Sequence, residues 1–296
     1  MAANTFSVAP SNSTATLYRA WVGALRGALL ACGWTQTSDT GQMDVSSLTV
    51  PTAIQTSSGY MVFAMADDLQ ATNPVYMRID VGSGNAVNSP SIWVQVGTAT
   101  DGAGTLSGKT TTQRQLVPYS SDSSTTASAS FYSGSTSRFV CVFWVGGTTN
   151  SGGHYGQLIS VERTHDASGS DTADGVMVFT SSFTGSTNVF SQYLSYSAAT
   201  QPPAYQHWNC ALPTTGTGAA NNNVYLYPVR GWGFGETGPS LNLLMYFTAD
   251  LVSQNSVTAT LWPGSSGTIL PLGYEINGNF GYGGAGGTPC VALRYD

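Results

Sequence analysis

Apolar and polar residues alternate in Val75-Tyr-Met-Arg-Ile-Asp-Val81. Successive side chains of a β-strand point to opposite faces, so this alternation is typical of a half-buried strand. The run from Ile92 to Val96 repeats the alternation directly after Pro90 and Ser91. The sequence therefore predicts strands that bury one face in this part of the chain.

The rest of the sequence predicts many more short strands. Two continuous apolar runs, 60–65 and 139–145, are typical of strands covered on both faces. Further strands are predicted at 158–163, 175–180, 224–229, 241–248, 257–262 and 291–295. Clusters of Gly, Pro, Asn, Ser and Asp separate them, as turns require. Together they predict a mostly β fold, an antiparallel sandwich or jelly-roll-like arrangement.

One segment, about residues 14–32, predicts a helix near the N-terminus. Ser13 or Thr14 is suited to cap it, and Gly33 is suited to end it. Apolar residues recur between them at helical spacing: Leu17, Trp21, Ala24, Leu25, Ala28, Leu29 and Cys32. Tyr18, Val22 and Leu30 widen this stripe, which predicts burial on two sides, one of them against another subunit.

The sequence places a domain boundary near Tyr119, before a tract rich in Ser, Thr and Ala. Residues 1–119 would then form an N-terminal assembly domain with the helix. Residues 120–296 would form a β-sandwich-like domain, peripheral or host-facing. A single continuous domain is the alternative.

Charged residues are scarce, at 8% of 296 residues against roughly 25% in an ordinary soluble domain. Nine Lys plus Arg give no basic stripe for nucleic acid or for an anionic membrane surface. No apolar run approaches the length of a membrane span. A charge-poor surface is prone to association, so we expect neighbouring protein to cover much of it.

The four cysteines Cys32, Cys141, Cys210 and Cys290 are far apart in sequence, and three of them have apolar neighbours. This pattern favours free, buried thiols over disulfides, which fits folding in a reducing cytoplasm.

No motif predicts catalysis or a cofactor. Two strings, 233–238 and 281–286, match G-x-G-x-x-G, but Pro239 and Pro289 follow them where a nucleotide-binding fold needs a helix. The histidines His154, His165 and His207 lack metal-like spacing, and no G-x-S-x-G elbow occurs. We therefore expect a protein that is not an enzyme and holds no cofactor.

The densest polar string is Glu162-Arg-Thr-His-Asp166, followed by Asp171 and Asp174. Asp166, Asp171 and Asp174 are a calcium-ligand candidate set, since Ca²⁺ prefers oxygen ligands. Their spacing is not that of an EF-hand, and the favoured interpretation is structural: Glu162 pairs with Arg163 or with a neighbouring subunit, and the aspartates make turn hydrogen bonds. Asp67-Asp68 is interpreted as a solvated corner or cap.

Aromatic residues in the C-terminal loops suggest a glycan-binding alternative. Trp208, Trp232 and Phe280 are the candidate contacts, with Trp262 as a further tryptophan. Their loops carry Asn and Gln, which can bond sugar hydroxyls. Most aromatic residues of the chain are nevertheless expected in the core or in interfaces.

Several strings resemble a family of tailed-bacteriophage virion proteins. They are 18–42 (YRAWVGALRGALLACGWTQTSDTGQ), 68–75 (DLQATNPV), 90–97 (PSIWVQVG), 100–104 (TDGAG), 161–169 (VERTHDASG) and 173–175 (ADG). The resemblance covers roughly residues 8–185. It implies a structural subunit of a tail, baseplate, collar or fibre, made in the host cytoplasm and built into the virion beside copies of itself. It implies no catalytic residues. A receptor-binding module for bacterial surface glycans is the alternative function.

Overall fold

A computed structural model describes residues 2–84, 86–88, 90–108, 113–116, 130–145, 155–166, 168–182 and 188–195. Beyond residue 195 it describes the strand segments 209–210, 214–217, 223–230, 243–246, 257–261, 265–275 and 290–294.

The described residues form strands and a single α-helix, α1, Ala15–Ala31, with one 3-10 turn at Val45–Ser47. The strands are β1 Ala2–Thr5, β2 Thr35–Gln36, β3 Ser57–Ala64, β4 Tyr76–Ser83, β5 Pro90–Gly97, β6 Ala99–Thr100, β7 Leu106–Ser107, β8 Gln113–Leu116, β9 Phe131–Ser135, β10 Arg138–Val145, β11 Tyr155–His165, β12 Asp171–Ser182, β13 Asn188–Ser195, β14 Asn209–Cys210, β15 Thr214–Thr217, β16 Asn223–Arg230, β17 Leu243–Tyr246, β18 Val257–Leu261, β19 Ser265–Glu275 and β20 Cys290–Arg294.

The helix begins and ends as the sequence predicts. The hydroxyl of Thr14 accepts a hydrogen bond from the amide of Leu17 at 3.2 Å. Gly33 follows the helix with a φ of +90°, a left-handed conformation that suits glycine. The buried side is rotated from the predicted stripe, because Tyr18 and Val22 are buried whereas Leu17 is 44% exposed.

A five-stranded antiparallel sheet, in the order β2-β3-β4-β5-β8, contains the alternating stretch 75–81. Its register aligns Met61, Ile79 and Val94 across three strands, and all three are buried. The alternate residues of these strands face outward, and Arg78 and Asp80 pair there. The predicted one-sided burial is therefore confirmed for β4 and β5.

A six-stranded antiparallel sheet follows the order β1-β9-β10-β11-β12-β13. The apolar run of β10 is buried without a break from Phe139 to Phe143, as the sequence predicts for a strand covered on both faces. A seven-stranded sheet, β14-β16-β15-β18-β19-β20-β17, and the β6-β7 hairpin complete the described strands.

One core joins the helix to both N-terminal sheets. Its helix side includes Trp21 and Leu25, its five-stranded side Phe63 and Ile79, and its six-stranded side Phe143. Fully burying each such side chain contributes about 1.5–3 kcal/mol. The mostly β, sandwich-like fold with an N-terminal helix is thereby confirmed.

The core crosses the predicted boundary near Tyr119. Strand β1 pairs with β9, and core side chains come from both 18–96 and 139–178. This arrangement favours the continuous-domain alternative for the part that contains these strands, and the boundary itself stays a prediction.

Two of the four cysteines are described in full. Cys32 and Cys141 are free, buried thiols, as predicted. Burial raises the pKa of Cys32 to about 12 and that of Cys141 well above its usual value.

Candidate functional site

The dense polar string at 162–166 lies at the end of β11, where the strand is irregular. Arg163 pairs with Val176 of β12, but His165 pairs with Asp171, so the register shifts between the two positions. In a regular strand, residues three apart face opposite sides. The bulge returns His165 to the side of Glu162, and its Nε2 lies 2.8 Å from Glu162 Oε1.

His165 lies between two carboxylates. Its side chain and that of Glu162 are fully buried, and its Nδ1 lies 3.1 Å from Asp171 Oδ1, at ion-pair distance. Burial by itself would lower the pKa of His165, but Asp171 and Glu162 outweigh it and raise the pKa to about 9. Burial would raise the pKa of Asp171, but bonds from His165 and Ser137 lower it. His165 is thus a protonated cross-link at neutral pH.

Arg163 points to the other side of the strand, toward the core. Its Nε donates to Asp67 Oδ2, and its Nη2 donates to Asp67 Oδ1 and to the carbonyl of Asn73, both at 2.9 Å. The Arg163 side chain is fully buried, and that of Asp67 is 7% exposed. This pair ties the segment after β3 to the six-stranded sheet.

Two structural interpretations of these charges change as a result. Glu162 pairs with His165 rather than with Arg163, because adjacent strand residues face opposite sides. Asp67 is a buried partner of Arg163 rather than a solvated corner, whereas Asp68 is exposed. The β-bulge in β11 and the pairing of Asp67 with Arg163, which lies far along the chain, leave no signal in the local sequence pattern.

The calcium-ligand candidates have separate environments. Asp166 Oδ1 accepts hydrogen bonds from the amides of Ser168 and Ser170 at 2.8 and 3.0 Å, which is the predicted turn role. Asp171 contacts His165, and Asp174 is exposed. Within the described residues, no group of three or more His, Cys, Asp or Glu side chains is arranged to hold a metal ion.

The glycan candidates Trp208, Trp232 and Phe280 lie outside the described residues, and so do Trp262, His154, His207 and both G-x-G-x-x-G strings. The proposed glycan contacts therefore stay a prediction.

A second polar cluster, which the sequence analysis did not single out, lies on the outer face of the five-stranded sheet. Asp39 accepts hydrogen bonds from the hydroxyl of Thr100 and from the amide of Gly104, the latter at 2.9 Å. The Arg78 guanidinium lies 4.2 Å from the centre of the Tyr60 ring. A side chain at Gly104 would meet that ring at 2.2 Å. The 100–104 string thus closes the β6-β7 hairpin over the sheet.

Four of the described arginines, Arg19, Arg26, Arg78 and Arg163, bind other parts of the same chain. Arg26 alone is exposed among the arginines whose burial is described, and its Nε donates to Gln36 at 2.6 Å. Arg19 donates to the carbonyl of Leu48 at 2.7 Å. With Arg78 and Arg163 bound as above, these four arginines cross-link the fold. Apart from Arg26, the exposed charged side chains among the residues whose burial is described are aspartates: Asp44, Asp68, Asp101, Asp166, Asp171 and Asp174.

Several apolar side chains are exposed as well. The large ones among the described residues are Leu17, Leu30, Ile54 and Val87, which are 39–55% exposed. Three of them, Leu17, Ile54 and Val87, lie on segments that hydrogen bonds join at one end of the five-stranded sheet. We call residues 11–17, 52–57, 83–84 and 86–88 the apolar end.

The helix of the described part is too short and too polar to cross a membrane. Comparison of the chain with protein-family models, with curated proteins and with solved structures found no match.

Proposed function

We propose that this chain is a structural subunit of a tailed-bacteriophage virion, in the tail, baseplate, collar or fibre region, and that it acts by assembling with copies of itself and with other virion proteins. The resemblance of residues 8–185 supports the virion assignment. The observation that carries the assembly role is the use of charge: Arg19, Arg26, Arg78 and Arg163 are bound within the chain while large apolar side chains are exposed.

The physical reason is that identical copies around a symmetry axis bring identical surfaces together. Like charges would repel there, whereas neutral Ser, Thr, Asn and apolar side chains pack without that cost. A surface of this composition is poorly suited to a protein that stays dispersed as a monomer.

Sedimentation of the full chain at micromolar concentration tests the assembly role. We expect a defined oligomer whose population rises with concentration. A monomer throughout this range would contradict self-assembly. Labelling the protein in intact particles then tests its place in a virion.

A glycan-binding module is a second candidate, favoured by the outer face of the five-stranded sheet. Trp93 lies there opposite Asp80 and is partly exposed. An aromatic ring of this kind can stack on the apolar face of a sugar. A screen against bacterial envelope glycans should detect binding that Trp93→Ala removes. Loss with Trp232→Ala instead would locate the site in the C-terminal loops, and no binding by the unaltered chain would contradict this function.

A further inference from the structure

We infer that the apolar end is the surface through which one copy of this chain binds a second copy. This inference rests on the proposed assembly function and adds to it the place where the copies meet.

The apolar end concentrates the exposed apolar side chains of the described residues. Ile54 is 55% exposed, Leu17 44% and Val87 41%. Single exposed apolar residues are ordinary on protein surfaces, but adjacent ones mark interaction sites.

Hydrogen bonds join the segments that carry these three side chains. Asn12 Nδ2 donates to the carbonyls of Gly82 and Val87, at 3.0 and 3.4 Å, and the Asn12 side chain is buried beside the start of the helix that carries Leu17. The hydroxyl of Ser83 donates to the carbonyl of Ala53, next to Ile54. The surface is therefore formed before a partner arrives, which lowers the entropic cost of binding.

The backbone beside Ile54 is strained. Gln55 has a φ of +52°, and it is the one non-glycine residue with a positive φ in the described part of the chain. Its amide donates to the carbonyl of Gly84 at 2.8 Å, which holds the loop against the turn after β4. Such conformations persist where surrounding contacts enforce them, and they are enriched at functional sites. Here the strained turn presents Ile54 to solvent.

The charge pattern indicates a second copy as the occupant. Residues 1–18, 45–66 and 81–100, which supply the apolar end, contain no Asp, Glu, Lys or Arg. The chain as a whole has a net charge of −6, and the exposed aspartates of the described residues lie outside these segments, where they would repel their counterparts on an identical copy. An uncharged apolar surface can meet its own copy across a two-fold axis without this repulsion.

The surrounding residues fit the margin of such an interface. A stable interface buries roughly 800 Å² on each partner, more than three side chains supply. Exposed Ser13, Thr52, Thr56 and Asn88 border the apolar side chains and provide a polar rim that needs no charged partner.

Single aspartate substitutions in the full chain test this inference. Ile54→Asp and Val87→Asp would each place a carboxylate in the interface opposite its own symmetry mate. We expect each to raise the dissociation constant of the oligomer about tenfold or more. Leu30→Asp is the matched control, since Leu30 is 39% exposed at the far end of the helix. Sedimentation at several concentrations measures all four proteins, and circular dichroism verifies their folding.

The outcomes separate this inference from the proposed function. Dissociation by Ile54→Asp and Val87→Asp, with Leu30→Asp still assembled, supports the apolar end. If all the variants assemble like the unaltered chain, or Leu30→Asp dissociates as strongly, the copies meet elsewhere and only this inference fails. If the unaltered chain is a monomer, self-assembly and this inference fail together.

Discussion

Arg163 and His165 show how this chain uses its few charged side chains. Each lies in the interior and has a carboxylate partner, Asp67 in one case and the Glu162–Asp171 pair in the other. A buried charge is strongly destabilising unless it is paired. Removing one partner of a buried ion pair therefore measures how much the stability of the fold depends on that pair.

Replacement of Arg163 by methionine should destabilise the protein by about 3–5 kcal/mol, because it leaves the Asp67 carboxylate buried without its cation. The side chains are 0% and 7% exposed, so solvent cannot replace the lost partner. Urea unfolding measures the change. Arg26→Met is the matched control, and its cost should stay within about 0.5 kcal/mol because Arg26 is exposed. Equal losses in the two variants would contradict the role given to the buried pair.

Stability should fall as the pH rises through the pKa of His165. The folded pKa of about 9 exceeds the unfolded value of 6.5, so the folded state holds a proton that the unfolded state has lost between these values. The stabilisation that this proton gives the folded state is complete below pH 6.5 and disappears as the pH passes 9. At its steepest, the free energy of unfolding falls by about 1.4 kcal/mol per pH unit.

Urea unfolding of the unaltered chain and of His165→Gln over this pH range isolates the effect. The difference between the two proteins removes the contribution of other titrating groups, including His154 and His207. The difference should shrink as the pH rises. A difference that does not change with pH would show that His165 is neutral in the folded protein.

At the level of elements, the ends of α1 follow from the local sequence, whereas its buried side depends on tertiary packing. Its cap at Thr14 and its end at Gly33 follow from the sequence, as helix-terminal residues act on their own backbone. Its buried side depends on what packs against it, and this is why Leu17 is exposed although its spacing fits the apolar stripe.

Two glycines of this helix region should respond to alanine in opposite ways. Gly27→Ala should stabilise the protein by up to about 1 kcal/mol, because the position is helical and the new Cβ meets nothing within 4 Å. Gly33→Ala should cost about 1–3 kcal/mol, because φ is +90° and the new Cβ would lie 2.9 Å from Thr136 Cγ2. Thermal unfolding of the two variants measures both. A stabilising Gly33→Ala would contradict the described helix end.

For the whole molecule, the uneven distribution of charged side chains supports the proposed function. Buried ion pairs link segments distant in sequence, such as Asp67 to Arg163, while the apolar end lacks charge altogether. The proposed subunit would combine these buried pairs with an uncharged surface that tolerates copies of itself. Its expected behaviour is therefore measured as oligomeric state rather than as turnover.

The sequence predicted strands well where alternation or continuous apolar runs were strong. Strands β4, β5 and β10 are examples, because the residues that are buried in them are the apolar residues of the sequence pattern. It missed β1, whose residues Ala-Ala-Asn-Thr lack a pattern and whose strand exists only because β9 offers an edge. It also missed the partners of Glu162 and Asp67, which depend on a bulge and on a contact between distant segments.

Local sequence was enough to predict the β character, the N-terminal helix with its ends and the free thiols Cys32 and Cys141, and it shows the scarcity of charge directly. These properties follow from local periodicity, capping and composition. The folded structure was needed to show which charges are buried and paired, which side of the helix faces solvent, and that the segments carrying Leu17, Ile54 and Val87 share one end. Those properties arise from contacts between residues far apart in the chain, which no local pattern encodes.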